Sequence, residues 1–188
     1  GLTGYWSNRK TKYLKFIIKT NKNKIYYNDK LGYGTLKVSL DKKTLKKKLD
    51  TLGCDILDPY QDEKKFIEKI RKKKKDIEIA KVLLDQKIAT GCGNYIRADA
   101  LYLSKISPFK KISKLTDFQL KKIWKSLQKI AFYNYSIKEG LKNNIFSNKE
   151  LDNLSDNFIY GEEYDCKNNK IKKIKLGDRT IHYCPILQ

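Results

Sequence analysis

Hydrophobic residues change their spacing twice along this chain, and that change restricts the fold more than any single motif does. Over the first forty residues, β-branched and aromatic side chains gather in 13–20, 24–28 and 35–40, with turn-forming residues at 21–23 and 29–34 between them. Three strands of this length make a poor domain alone, so further strands are expected to partner them. A short helix is expected about 42–51. From Asp62 the period becomes helical: Phe66, Ile67 and Ile70 mark one helix, and Ile77, Ala80, Leu84 and Ile88 mark a second. Gly91-Cys92-Gly93 stops it, and Asn94 is placed to cap a third helix reaching about Ser104. Thr116 and Gln119 form a capping box, with Leu115 and Leu120 where a hydrophobic staple would stand. Leu120, Ile123, Trp124, Leu127, Ile130 and Ala131 then line one face of a long helix, which reads as core. After Phe158 the chain returns to β character. Residues 171–176 and 180–184 flank Gly177-Asp178, whose leading glycine suits a type II′ hairpin turn with Arg179 just past the tip. The fold class is α+β.

The charge narrows the partners. Lys and Arg number 42 against 21 Asp and Glu, a formal net charge of +21. Unpaired charges of this number belong on the surface, where they attract polyanions. Codon bias toward AT explains Lys over Arg, but not Lys over acid. The run 71–75 reads as a solvated helix end. No apolar run approaches a bilayer span and no signal peptide is visible, so no membrane partner is expected. The four cysteines form no CxxC pair, and without a secretory signal a reduced intracellular compartment fits them. The chain holds no Met and opens on Gly-Leu-Thr-Gly, which suggests a fragment of a longer protein.

The chemistry gathers at Gly91-Cys92-Gly93-Asn94. Two glycines permit a tight turn and close backbone approach, and a helix start offers free N–H groups to a phosphate. An ordinary helix–turn–helix corner has the same shape. The longer string 83–101, Leu-Leu-Asp-Gln-Lys-Ile-Ala-Thr-Gly-Cys-Gly-Asn-Tyr-Ile-Arg-Ala-Asp-Ala-Leu, resembles the helix-two-turn-helix signature of the formamidopyrimidine-DNA glycosylase / endonuclease VIII family. Asn94-Tyr95-Ile96-Arg97 looks more like the endonuclease VIII branch. Other blocks agree in order: Gly1-Leu2-Thr3-Gly4 with an interstrand loop, Leu52-Gly53-Cys54-Asp55 with the interdomain segment, Ile106-Ser107-Pro108 with the stretch after the signature, and 179–185 with the last strand of a C-terminal finger.

That resemblance implies a repair enzyme that bends damaged double-stranded DNA and flips a base out. It implies phosphate contacts from Asn94 and Arg179, with Gly93 and Lys87 also at the DNA, and void-filling residues at Leu2, Leu31 and Tyr33. An apolar wedge replaces lost stacking without needing polar partners. In the family the loop matching 29–34 usually reads Asp-x-Arg-Arg-Phe-Gly, so Leu31 and Gly32 depart from two arginines while Tyr33 stands for Phe. The finger also departs. Cys166 and Cys184 remain where members with zinc have two Cys pairs, Tyr164 and Leu187 stand near the other places, and three ligands with His182 do not close a structural zinc tetrahedron. A zincless finger and no cofactor are expected. The family's nucleophilic N-terminal proline amine, its neighbouring Glu and its assisting Lys all precede the Gly-Leu-Thr-Gly loop, so no catalytic residue is assigned in this chain, and the chain alone is expected to be inactive.

The expected organisation is 1–50 as the remainder of a catalytic β-sandwich, 51–155 as the helix-two-turn-helix domain and 156–188 as the finger hairpin. The expected function is that of a base-excision-repair glycosylase and abasic-site lyase, monomeric and working at DNA in a nucleus, nucleoid or viral factory. A non-catalytic module for damaged DNA and an RNA-binding or ribosomal-type protein are the alternatives.

Overall fold

A computed structural model describes residues 4–73, 76–139, 154 and 158–188. The chain divides into two compact units, Gly1–Leu45 and Lys46–Gln188.

The first unit is an antiparallel sheet of β1 (Gly4–Ser7), β2 (Leu14–Lys19) and β3 (Lys24–Asp29), in the order β1-β3-β2. Trp6 of β1 and Phe16 of β2 pack on Tyr27 of the central strand at ring distances of 5.1 and 4.6 Å. Such cross-strand aromatic pairs fix the register. Asn28 is fully buried, and its amide is satisfied by the β1–β2 connection: Thr11 N and Oγ1 donate to Oδ1, while Nδ2 donates to Ser7 Oγ and the Arg9 carbonyl. Two of the expected strands form, and β1 is one the propensities did not mark. The third, over 35–40, does not form. Val38 is 77% exposed and Leu40 fully so. Propensity makes a strand only where an edge accepts its ladder, and this segment pairs with none of the described strands.

The boundary between units falls within α1 (Lys42–Leu49), which Asp41 caps through bonds from Lys43 N and Thr44 N. The second unit opens with β4 (Cys54–Asp55), parallel to β5 (Ala89–Thr90). At Gly53 a Cβ would stand 2.4 Å from the Ile88 backbone, so only glycine allows this approach. Helix α2 (Glu63–Arg71) is capped by Asp62 and buries Phe66, Ile67 and Ile70. The run 71–75 is not merely solvated: the Arg71 guanidinium donates to the carbonyls of Ile112 and Leu115 and to Asp117, and Lys73 pairs with Asp85 at 2.5 Å. Lys74 and Lys75 lie outside the described residues.

The second expected helix is a single turn, α3 (Ile79–Val82). Beyond it Asp85 takes Lys87 N on its carboxylate and Ile88 N on its carbonyl, an aspartate competing with the helix for backbone donors. The next helix, α4 (Asn94–Ser104), begins with Asn94 as its first residue; Gly93, in extended backbone, is the cap. The long helix α5 (Asp117–Glu139) follows a 3₁₀ turn (Ile112–Lys114). Its capping box closes reciprocally between Thr116 and Gln119. Every residue of the expected stripe is buried, and Trp124 lies 5.0 Å from the Phe66 ring.

The hairpin of β6 (Lys172–Leu176) and β7 (Arg179–Tyr183) belongs to the same unit, with β7 packed on α4. Leu176 pairs with Arg179 across Gly177-Asp178. Gly177 has φ +67° and Asp178 is not in the positive-φ region, which distinguishes type II′ from type I′. The loop before β6 is organised by Asp165. Its buried carboxylate accepts from Lys167 N, from Asn169 N and Nδ2, and from the Tyr102 hydroxyl at 2.8 Å. Burial alone would push this carboxyl up, but the bonds from Asn169, Tyr102 and Lys167 together bring it down to about 2. Asp165→Ala would strand these donors, so chemical denaturation should show a loss of roughly 2 kcal/mol or more. The stabilisation from the lowered carboxyl is present above the ordinary aspartate range and is lost as pH falls through about 4 toward 2; the variant should lack that acid limb.

Candidate nucleic-acid interface

The two-turn corner between α3 and α4 is held from inside by Gln86. Its Oε1 accepts from Gly91 N at 2.9 Å and its Nε2 donates to the Cys92 carbonyl at 3.0 Å, while Thr90 Oγ1 bonds the Gln86 carbonyl. Gly91 sits at φ +87°, which a residue with a Cβ rarely adopts. Gly93 has a different role. A Cβ placed there would meet nothing within 4 Å, so its bareness leaves the start of α4 open to whatever approaches from outside. No side chain caps that start, and the first N–H groups of the helix face the approach with the positive end of the helix dipole. Lys87 is exposed on the same corner, with no ion pair among the described residues.

Asn94 does more than offer a donor. Its Nδ2 donates to the Thr180 carbonyl of β7 at 2.9 Å and, at a longer 3.3 Å, to the Tyr160 hydroxyl. Its Oδ1 accepts from Nη2 of Arg97, one helical turn on. Thr180 is the neighbour of Arg179, so the helix start is tied to the hairpin beside its exposed arginine. An anion arriving here finds Arg179, the open backbone at Gly93 and the Tyr160 hydroxyl together. The longer Asn94–Tyr160 bond is the one that yields most readily.

Arg97 is fully buried. Besides Asn94 it reaches the Ala80 carbonyl at 3.0 Å and the Thr180 carbonyl at 3.4 Å, joining α3, α4 and β7. Burial, more than the nearby Arg179, lowers its guanidinium to about 10, so it stays charged at neutral pH. The same burial pushes the neighbouring Cys92 thiol up to about 12, which leaves it an inert core residue. Asp99 sits further along α4, and its Oδ1 accepts from Ile159 N and Tyr160 N at 2.8 and 3.0 Å. These bonds hold Tyr160 over the His182 ring, 4.6 Å away. Burial, then Lys173, keep His182 below its ordinary value.

Sequence reasoning missed Gln86, Arg97, Asp99 and Tyr160. The available signal was a charged residue on the inward face of a helix otherwise lined with alanine and leucine. Cys166 is exposed, Cys184 is buried against Tyr102, Ile159 and Ile171, and His182 packs on Tyr160. Among the described residues no group of three or more His, Cys, Asp or Glu side chains is placed to hold a metal.

In the first unit the carboxylate of Asp29 closes the loop 29–34, accepting from Leu31 N at 3.2 Å and from Gly34 N at 2.7 Å. Gly32 turns the chain at φ +72°, and Gly34 lies so close to Tyr27 that a Cβ would fall 2.4 Å from its hydroxyl. Leu31 and Tyr33 are 52% and 68% exposed at the tip, as wedge side chains need to be. Leu2 lies outside the described residues.

Asp99 gives a testable electrostatic consequence. Burial raises its carboxyl to about 6, against the two N–H bonds that lower it. A carboxyl raised by folding favours the folded state while protonated, so this contribution declines as pH rises from about 4 to about 6. Asp99→Asn keeps an acceptor for Ile159 and Tyr160. It should flatten the pH dependence of stability in that window relative to the parent chain, by up to about 3 kcal/mol, read from denaturation midpoints at stepped pH. An unchanged profile would mean that Asp99 keeps its solution pKa.

Residues 52–144 match the formamidopyrimidine-DNA glycosylase H2TH domain. The chain is 29% identical over 177 residues to a formamidopyrimidine-DNA glycosylase of Oceanobacillus iheyensis, covering 90% of this chain and 62% of that protein. It is 29% identical over 205 residues to one of Prochlorococcus marinus, covering 100% of this chain and 68% of the relative. Among solved structures, Lactococcus lactis Fpg in complex with DNA containing an abasic site superposes with a TM-score of 0.74 at 25% identity, over 99% of this chain and 72% of that one. The same enzyme with DNA containing Fapy-dG gives 0.73 at 25% identity, over 99% and 71%. No described helix is long and apolar enough to cross a membrane. Sequence and fold agree with formamidopyrimidine-DNA glycosylases along almost the whole length of the chain, and residues 52–144 match the H2TH domain of those proteins.

Proposed function

We propose that this chain grips damaged double-stranded DNA for a base-excision-repair glycosylase and abasic-site lyase. The observation that carries this reading is the tie between Asn94 and the Thr180 carbonyl, which brings an uncapped helix start and Arg179 to one exposed place. Backbone N–H groups and an arginine are the donors that phosphates recruit, and they position a duplex without reading its sequence. The solved relatives with abasic-site and Fapy-dG DNA supply the ligand class. Leu2, Leu31 and Tyr33 are assigned to the space left by a flipped base; of these, Leu31 and Tyr33 are exposed as that task requires. Asn94-Tyr95-Ile96-Arg97 supports the endonuclease VIII-like branch and, with it, oxidised pyrimidines as lesions. The protein works at intracellular DNA as a monomer.

The catalytic amine is not assigned within these 188 residues. Their part is to hold and bend the substrate while chemistry is supplied by the proline, glutamate and lysine groups of the family. The finger is read as zincless, with Asp165 and its four bonds holding the loop that a metal would otherwise organise. Treatment with EDTA should therefore leave the melting temperature unchanged.

Binding to a duplex with one abasic site tests the grip. If about six phosphates are engaged, log K falls with log salt at a slope of roughly −5. Arg179→Ala should weaken binding to all sequences and flatten that slope by about one; an unchanged slope would remove Arg179 from the contacts. Borohydride treatment of the same complex should trap no covalent adduct. A site-specific adduct would place a Schiff-base amine among these residues and overturn the division of labour.

A further inference from the structure

Helix α5 buries Leu120, Ile123, Trp124, Leu127 and Ile130, and α4 packs against it. At 100° per residue, Phe118, Lys121, Lys122 and Lys125 fall on the opposite side of the helix. There they line, with Glu63 at the start of α2, a cavity of about 470 Å³. This volume lies within the range of roughly 300–1,000 Å³ typical of ligand sites. Phe118 is 75% exposed, an unusual position for a phenylalanine in a surface this polar. Glu63 is already paired with Lys121 at 2.9 Å, while Lys122 and Lys125 have no acidic partner among the described residues. The cavity therefore combines an open aromatic ring with two uncompensated ammonium groups.

The phosphate grip described above uses the start of α4 and β7, not this outer face of α5. A duplex backbone engages ammonium groups but offers nothing apolar to the ring. A single strand stacks successive bases on successive rings, and only one ring lines this cavity. A peptide with carboxylates beside one apolar side chain uses both features. We propose that this cavity docks an acidic peptide segment of a partner protein. An aromatic or long aliphatic side chain of the peptide packs on Phe118, and its carboxylates pair with Lys122 and Lys125. A central apolar anchor in a pocket supplies most of the affinity, and the charges supply selectivity and speed of association.

The test uses the full chain and a fluorescein-labelled peptide of Glu and Ser residues with one central Phe, followed by anisotropy. Saturable binding is expected. Phe118→Ala, or Ala for the Phe of the probe, should weaken it roughly tenfold. Lys122→Glu with Lys125→Glu should weaken it by at least about tenfold. These exposed substitutions should leave affinity for abasic-site duplex within about twofold, whereas Lys43→Glu with Lys47→Glu on α1 should leave peptide binding within that range. Absence of saturable binding would overturn the proposal. So would equal losses from the α1 control, which would reduce the effect to net charge. Oligo(dT) that displaces the peptide and itself loses affinity with Phe118→Ala would make the site one for single strands and defeat the peptide assignment.

Discussion

Asn94 has one amide, and its two ends are held by different parts of the chain. The nitrogen bonds the Thr180 carbonyl of β7, and the oxygen takes a buried guanidinium from Arg97. Arg97 in turn holds the Ala80 carbonyl of α3. The corner, α4 and the hairpin therefore meet at two side chains and two backbone carbonyls, and none of these elements is free to drift without exposing a buried charge. Removing one partner of such a group is costly because the charge left behind has no water to return to. The same arithmetic explains why the corner needs Gln86 and a positive-φ glycine: the backbone must reach Asn94 at one angle for the amide to span the gap.

Around this node the electrostatics are divided by depth. Buried ionisable groups are few and each holds several partners: three acceptors for Arg97, whose Nε alone is left without one, two backbone N–H groups for Asp99, and four donors for Asp165. The surface carries the opposite condition, a net charge of +21 with lysines that outnumber the available carboxylates. Surplus positive charge destabilises a compact chain by self-repulsion, and a polyanion relieves it.

Legibility in the sequence followed distance along the chain. The capping box at Thr116 and Gln119, the buried stripe of α5 and the type II′ turn at Gly177 all depend on residues within one or two turns of each other, and periodicity finds them. The helix start at Asn94 and the hairpin tip at Arg179 were legible because both are local features. What stayed hidden was non-local. Arg71 looked like part of a solvated run because its acceptors at Ile112, Leu115 and Asp117 lie more than forty positions away. The strand expected over 35–40 failed for the same reason, since its pattern was right and no described edge accepted it. The helix expected over 77–88 shows the reverse error: apolar spacing persisted through the corner because Ile88 is buried, and Ile77 and Leu84 half-buried, without being helical.

The loop 29–34 keeps a defined path although Leu31 and Gly32 stand where formamidopyrimidine-DNA glycosylases usually carry two arginines. The departure at Leu31 and Gly32 removes two arginines. Yet the loop's path is set by Asp29, which binds the N–H groups of Leu31 and Gly34, and by Gly34, which has no room for a Cβ beside Tyr27. Both of those residues are present. The side chains at 31 and 33 project from a frame that does not depend on their chemistry, so leucine in place of arginine changes the chemistry of the tip without changing its path. Leu31 and Tyr33 in that frame present apolar area to solvent, 52% and 68% exposed.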